Sequence, residues 1–368
     1  MTKSAIREQG QIAEAIQHKT AAHPYPPPYP PSWVDRLTDW VERLPGPAWI
    51  FYLGAGLVIS LTRNIIGWTD GSYPVGTFFV IHILDGLISV YPLFVLHYLD
   101  ERAKAALEAF RPVLTGHDAN YQQLSYEMTT MPTRPVMIFS LVGFAGGLAY
   151  LPLFVAEADI QELKYFTSPL ATTVDMGLTA ISWAMMWVFA YHTIRQLRLV
   201  SRIYTRQTNV RIFDTGPLYS LSGITAMTTV ALLVFTYVYL AFYVNWQIEN
   251  PSNAAFGLSF AGVALATFVW PLFGAHRLLQ QEKERRKGIV ARRMEDVTDE
   301  LHQRVETRNL ERMDGLKDAL DGLIAERGVL DKVSTWPWEP EAVRVVLTAL
   351  FLPVVLWAIT RVLERLGF

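Results

Sequence analysis

Long apolar runs separated by polar connectors set the pattern of this chain. Seven runs stand out, at residues 46–62, 73–98, 135–156, 169–194, 219–245, 254–275 and 343–360. A membrane-spanning helix needs about 20 mostly apolar residues, so five runs suffice and the first and last are short. Only helices and closed barrels satisfy their backbone groups in lipid. Barrel strands alternate apolar and polar positions, whereas these runs are continuously apolar. The pattern predicts an all-α, polytopic integral membrane helical bundle of seven transmembrane helices.

The polar segments carry their own periodicity. Residues 32–44 place Trp33, Val34, Leu37, Trp40, Val41 and Leu44 on one helical face and Asp35, Arg36, Asp39, Glu42 and Arg43 on the other. That predicts a helix lying in the membrane interface. Before it, residues 24–31 (PYPPPYPP) favour an extended polyproline II segment, a stiff linker or a ligand for an aromatic groove. Between spans six and seven, Val290, Met294, Val297 and Leu301, then Met313, Leu316, Leu320 and Leu323, recur at coiled-coil spacing. A single straight helix there would carry the chain about 80 Å from the membrane. A cytoplasmic helical hairpin bending near 305–309 returns it. The expected divisions are an N-terminal arm at 1–45, spans one to six at 46–275, the hairpin at 276–340, and the last span with the C-terminus at 341–368.

Composition agrees with a membrane chain. Hydrophobic residues make up 51% of the 368 positions and charged residues 18%, against about a quarter in soluble proteins. Cysteine is absent, which excludes disulfides and thiol chemistry. The net charge of −2 implies no nucleic-acid partner. No apolar stretch within the first 20 residues predicts a cleaved signal. Alternate connectors carry 27 Lys and Arg on one side against four on the other, with Arg63 counted among the four. The positive-inside rule then predicts a multi-pass cell-membrane protein with the N-terminus cytoplasmic and the C-terminus outside.

Phosphate-loop, HExxH, GxSxG and CxxC motifs are missing, so no enzymatic activity, metal or cofactor is expected. Polar groups inside spans are the remaining candidates, because they are expensive in lipid. His82 and Asp85 share a face of the second span, and Ser89 continues it. They are read as a cation or proton site, or as a structural pair between helices. Asp175 in the fourth span lines an outer vestibule or reaches interfacial water. Ser222, Thr225, Thr229, Thr236, Tyr239 and Tyr243 form one stripe along the fifth span, facing water, a ligand or a neighbouring helix. His97, His192 and His276 fall at the inner ends of spans two, four and six. They would hold a metal or haem iron if they converged, and complement helix dipoles if they do not. Arg195, Arg198, Arg202 and Arg206 suit anionic lipid, which the positive-inside rule also explains. Gly143 with Gly147, Gly257 with Ala261, and Gly262 with Ala266 predict close helix packing. Pro353 predicts a kink in the last span.

Seven spans, an inside N-terminus, an outside C-terminus and longer inner than outer connectors resemble the insect-chemoreceptor-like seven-transmembrane ion channels. The resemblance implies that residues 343–360 line a pore and that subunits meet through cytoplasmic helical extensions. The expected function is an oligomeric, ligand-gated, cation-conducting channel in the lipid bilayer. Its site would comprise His82, Asp85, Asp175, Thr229, Thr236, Tyr239 and Tyr243. The alternative is a membrane-anchored sensor or scaffold whose hairpin binds a protein partner.

Overall fold

A computed structural model describes residues 27–115, 118–150, 168–208, 216–243, 251–308, 311 and 313–366. Among them there are helices and no strands: α1 Trp33–Glu42, α2 Ala48–Asp70, α3 Val80–Phe110, α4 Asp118–Thr129, α5 Thr133–Tyr150, α6 Pro169–Arg206, α7 Gly216–Tyr243, α8 Pro251–Val269, α9 Phe273–Glu306, α10 Met313–Lys332 and α11 Pro340–Leu366. Five stretches are long and apolar enough to cross a membrane, Ala48–Asp70, His82–Val113, Pro169–Arg206, Gly216–Val238 and Ala261–Glu306. Thr133–Ala149 is a shorter apolar helix. Helix α11 is continuous through Pro353, and it carries Glu341 and Arg344 near its start and Arg361, Glu364 and Arg365 near its end.

Contacts between named pairs fix the relative helix directions. Arg63 meets Asp85 and Tyr52 meets His97, so α2 and α3 are antiparallel. Ser89 meets Ser182 and Asp100 meets His192, so α3 and α6 are parallel. Tyr91 reaches Ala231 and Ser220 reaches Ala106, which sets α7 against α3. Ser222 lies by Glu339 and Tyr237 by Leu350, so α11 runs with α7. Helices α2, α7 and α11 therefore rise together while α3 and α6 descend.

The helices run further than the apolar runs alone predict. Helix α3 continues past Tyr98 to Phe110 because Leu99, Ala103, Leu107 and Phe110 keep one face apolar, and all four are fully buried. Helix α6 does the same with Leu199, Val200, Ile203 and Tyr204. These two extensions join α4, the start of α7 and Leu272 in the largest core of the molecule. Along the span-like parts of α2 and α5, by contrast, Val58, Leu61, Ile65, Ile138 and Leu141 are exposed. Such faces suit lipid rather than water.

The N-terminal arm is docked. Tyr29, in the proline-rich segment, donates to the Thr130 carbonyl at 2.9 Å, and its own carbonyl accepts from the Tyr126 hydroxyl at 2.7 Å. The Arg195 guanidinium hydrogen-bonds the Tyr29 hydroxyl and lies over its ring. Ser32 and Asp35 form a capping box that starts α1. Asp35 belongs to the polar face by periodicity, yet it is buried. Its Oδ2 accepts from the Ser32 amide at 2.7 Å and the Met131 amide at 3.1 Å.

Asp35→Ala strands the Met131 amide, at about 1–3 kcal/mol, while the Ser32 amide keeps its bond to the Met131 carbonyl at 3.0 Å. Asp35→Asn keeps an acceptor and is expected to retain most of that stability. Equal thermal midpoints for the two variants would sink this account. Burial pushes the Asp35 carboxyl above its ordinary value, and hydrogen bonds from Ser32 and Met131 pull it down only in part. The native state therefore holds this proton more tightly than the unfolded chain does. Its stabilising contribution is present below the unfolded value and is lost as pH rises through the native one. Asp35→Asn removes that dependence.

Helices α9 and α10 form an antiparallel hairpin turning between Glu306 and Met313, close to the bend expected at 305–309. Lys283 reaches the carbonyls of Asp331 and Val333, and Lys287 pairs with Asp331. Its buried core is small, Val290 and Leu330 with Met294, Leu323 and Val333 against them. At the hairpin base Trp336 stacks on His276 at 4.1 Å and on Trp338 at 4.6 Å. The two tryptophans therefore close the return to α11 by packing on α8 and α9, since Trp338 also stacks on Phe268.

Candidate functional site

Three helices place ionisable side chains around one point, at the end of the bundle opposite the arm. Helix α2 continues beyond Thr62, because Ile65, Ile66 and Trp68 extend its apolar surface. Arg63 therefore lies inside the helix and not in an outer connector, which corrects the expectation from the apolar runs. Its Nη1 is 2.6 Å from Asp85 Oδ2 on α3, and its Nε is 3.0 Å from Asp175 Oδ1 on α6. Its Nη2 donates to Thr179 Oγ1 at 3.2 Å. The side-chain exposures are 6% for Arg63, 18% for Asp85 and 17% for Asp175. One guanidinium thus bridges two carboxylates from different helices.

The loop after α2 closes over this cluster. Gly71 takes the left-handed conformation (φ 75°) that ends the helix. Asp70 Oδ2 accepts from the Ser72 hydroxyl at 2.6 Å and the Ser168 amide at 3.1 Å, tying the loop to the start of α6. Tyr73 turns back inward. Its hydroxyl donates to the Arg63 carbonyl at 3.2 Å and lies 3.2 Å from His82 Nε2. The Tyr73 ring occupies the space where a Cβ on Gly67 would sit, about 2.0 Å from the nearest ring carbon. A Cβ at 67 would push that ring aside.

Arginine stays protonated in proteins. With both aspartates ionised, the cluster carries one uncompensated negative charge in a low-dielectric setting. Such a charge attracts a proton or a cation strongly. The geometry also gives Arg63 two alternative partners, so a cation held by one carboxylate leaves the other paired.

The expected residues separate into groups. Asp85 and Asp175 meet through Arg63, with His82 one contact away through Tyr73. Thr229 lies elsewhere, between α7 and α8. Its hydroxyl donates to the Thr225 carbonyl at 2.8 Å and the Ala264 carbonyl at 3.0 Å, and meets Thr267 Oγ1 at 3.0 Å. Thr236 is buried and donates to the Leu232 carbonyl at 2.7 Å. The side chains of Tyr239 and Tyr243 lie outside the described residues. The three histidines do not converge. His97 faces Glu42 and Glu101, His192 faces Asp100, and His276 is stacked on Trp336 with Nδ1 3.1 Å from the Thr335 carbonyl.

Arg63, Tyr73 and Thr179 complete the cluster and are absent from the sequence candidates. A signal for Arg63 exists, since two aspartates buried in long apolar helices require a cation within reach. No family model matches the chain, and comparison with curated proteins and with solved structures gives no match.

Proposed function

We propose that the protein is a channel-like membrane protein that passes protons or small cations, with the Arg63, Asp85 and Asp175 cluster as the charged element of its path. The excess negative charge of that cluster carries this reading. In the proposed topology, α2, α3, α5, α6, α7, α8 and α11 are seven spans. The arm and the hairpin face the cytoplasm of a cell-membrane protein, and the C-terminus lies outside. The cluster then sits in the outer half, where the loop bearing Tyr73 is positioned as a ligand-responsive cover. Residues 343–360 of α11 line the pore of a homo-oligomer, as in the seven-transmembrane channels the topology resembles. The exposed apolar residues Leu347, Phe351 and Val355 give α11 a face for lipid or for a second subunit.

Ion flux into liposomes carrying the purified protein tests the proposal. A unit charge about 4 Å away is worth about 4 kcal/mol at an effective dielectric of ~20. Asp85→Asn is therefore expected to lower cation or proton flux by about tenfold or more, with assembly intact. Flux indifferent to Asp85→Asn and to Asp175→Asn alike would remove the cluster from the path.

A second reading, a membrane-anchored scaffold, is favoured by the α9–α10 hairpin, whose surface leaves Val305, Ile324 and Val329 about half exposed. It requires that deleting 285–325 abolish partner binding and leave flux unchanged.

A further inference from the structure

A cavity of about 220 Å³ opens at the arm end of the bundle, opposite the Arg63 cluster. Asp35, Asp39, Glu42, His97, Asp100 and Lys104 are among the residues lining it. Four carboxylates against one lysine make its walls acidic. His97 on α3 is only 5% exposed. Its Nδ1 lies 3.1 Å from the Tyr52 hydroxyl of α2, which fixes the ring. Its Nε2 lies 3.6 Å from Glu42 Oε1 and 4.0 Å from Glu101 Oε1. Both separations exceed a hydrogen bond, so the nitrogen faces two carboxylates without bonding either.

That spacing is informative. Zinc bonds of about 2.0–2.2 Å at tetrahedral angles put neighbouring ligand atoms about 3.3–3.6 Å apart. The three ligand atoms of Glu42, His97 and Glu101 lie within 4.8 Å of one another, so small side-chain adjustments close them on one ion. His97 and Glu101, four residues apart, share a helix face, and Glu42 arrives from the end of α1. A metal-bound histidine has its other ring nitrogen held by an oxygen acceptor, and the Tyr52 hydroxyl oxygen stands in that place here.

A second observation points the same way. Asp100 Oδ1 is buried without a hydrogen bond, and so are both ring nitrogens of the fully buried His192 behind it. The Asp100 and His192 atoms are 3.4 Å apart. Asp100 also lines the cavity, so a cation held there would offset its carboxylate as well.

We propose that Glu42, His97 and Glu101 bind a divalent transition-metal ion, with zinc as the best fit to one nitrogen and two oxygens. Tyr52 orients His97, and the fourth position opens to the cavity. Bound metal clips α1 to α3 and so secures the arm to the spans. The site is independent of ion flux through the Arg63 cluster.

Equilibrium dialysis of zinc against the purified full-length protein in detergent tests this, paired with thermal unfolding. One ion per chain is expected, with a raised thermal midpoint. Glu101 is largely exposed, so Glu101→Gln should fold normally in the absence of zinc while weakening binding by more than about tenfold. His97→Gln should abolish the thermal shift, and Tyr52→Phe should weaken binding by about tenfold. No stoichiometric ion would overturn the proposal. Wild-type affinity in both Glu101→Gln and His97→Gln would overturn it as well, placing zinc on other histidines. Equal affinity for magnesium, which does not favour imidazole, would overturn the transition-metal assignment.

Discussion

Arg63→Leu is expected to destabilise the protein by about 3–5 kcal/mol, the usual result of removing one member of a buried ion pair. The substitution leaves Asp85 and Asp175, each less than one-fifth exposed, facing each other across an apolar gap. It also removes the donor to Thr179 and the ion pair that joins α2 to α6. Arg63→Lys keeps the charge but offers a single ammonium. It cannot span both carboxylates and Thr179 as the guanidinium does, so an intermediate loss is expected. The triple variant Arg63→Leu/Asp85→Asn/Asp175→Asn removes all three charges together. It is expected to recover much of the stability, because charge imbalance and not lost volume dominates the single change. Thermal unfolding in detergent ranks the three. A triple variant no more stable than Arg63→Leu would show that packing, not charge, holds this point.

Gly147→Val should separate α5 from α6 and destabilise by about 3 kcal/mol, at the upper end for overpacking. A Cβ at 147 would lie 2.6 Å from the Ala180 Cα and 3.2 Å from its amide nitrogen. One turn away, a Cβ at Gly143 would lie 2.8 Å from the Ala184 Cα. These are backbone atoms, so no rotamer change relieves the clash. Gly146 provides the control, since a Cβ there would meet only the Trp183 ring at 3.6 Å, an ordinary contact. Gly146→Ala is expected to leave the stability within about 0.5 kcal/mol of wild type. Equal effects at 146 and 147 would mean that the two helices can slide apart freely.

Much of the fold was legible in the chain. The apolar runs located the helices, the spacing of Gly143 and Gly147 identified a close helix contact, and the heptad positions indicated the hairpin. The helix extensions beyond Tyr98 and Ile194 were less visible, because a water-soluble amphipathic turn carries no continuous apolar run. The site was half legible. Asp85, Asp175 and His82 announced themselves by being charged or polar within apolar segments. Arg63 did not, because it stands where the first run loses its hydrophobicity and so reads as the start of a loop. The pair His97 and Glu101 was present at helical spacing, but Glu42, Asp35 and Tyr52 come from other segments and no spacing connects them.

The sequence by itself determined the helical class, the apolar helices suited to a membrane and the small residues that let two of them touch. These are local properties, set by hydrophobic run length and by the absence of a side chain at particular positions. Tertiary structure alone decided which charges meet. Arg63, Asp85 and Asp175 come from three helices, and Glu42 and His97 from two. Pairing across that distance depends on helix rotation and register, which arise from packing the whole bundle.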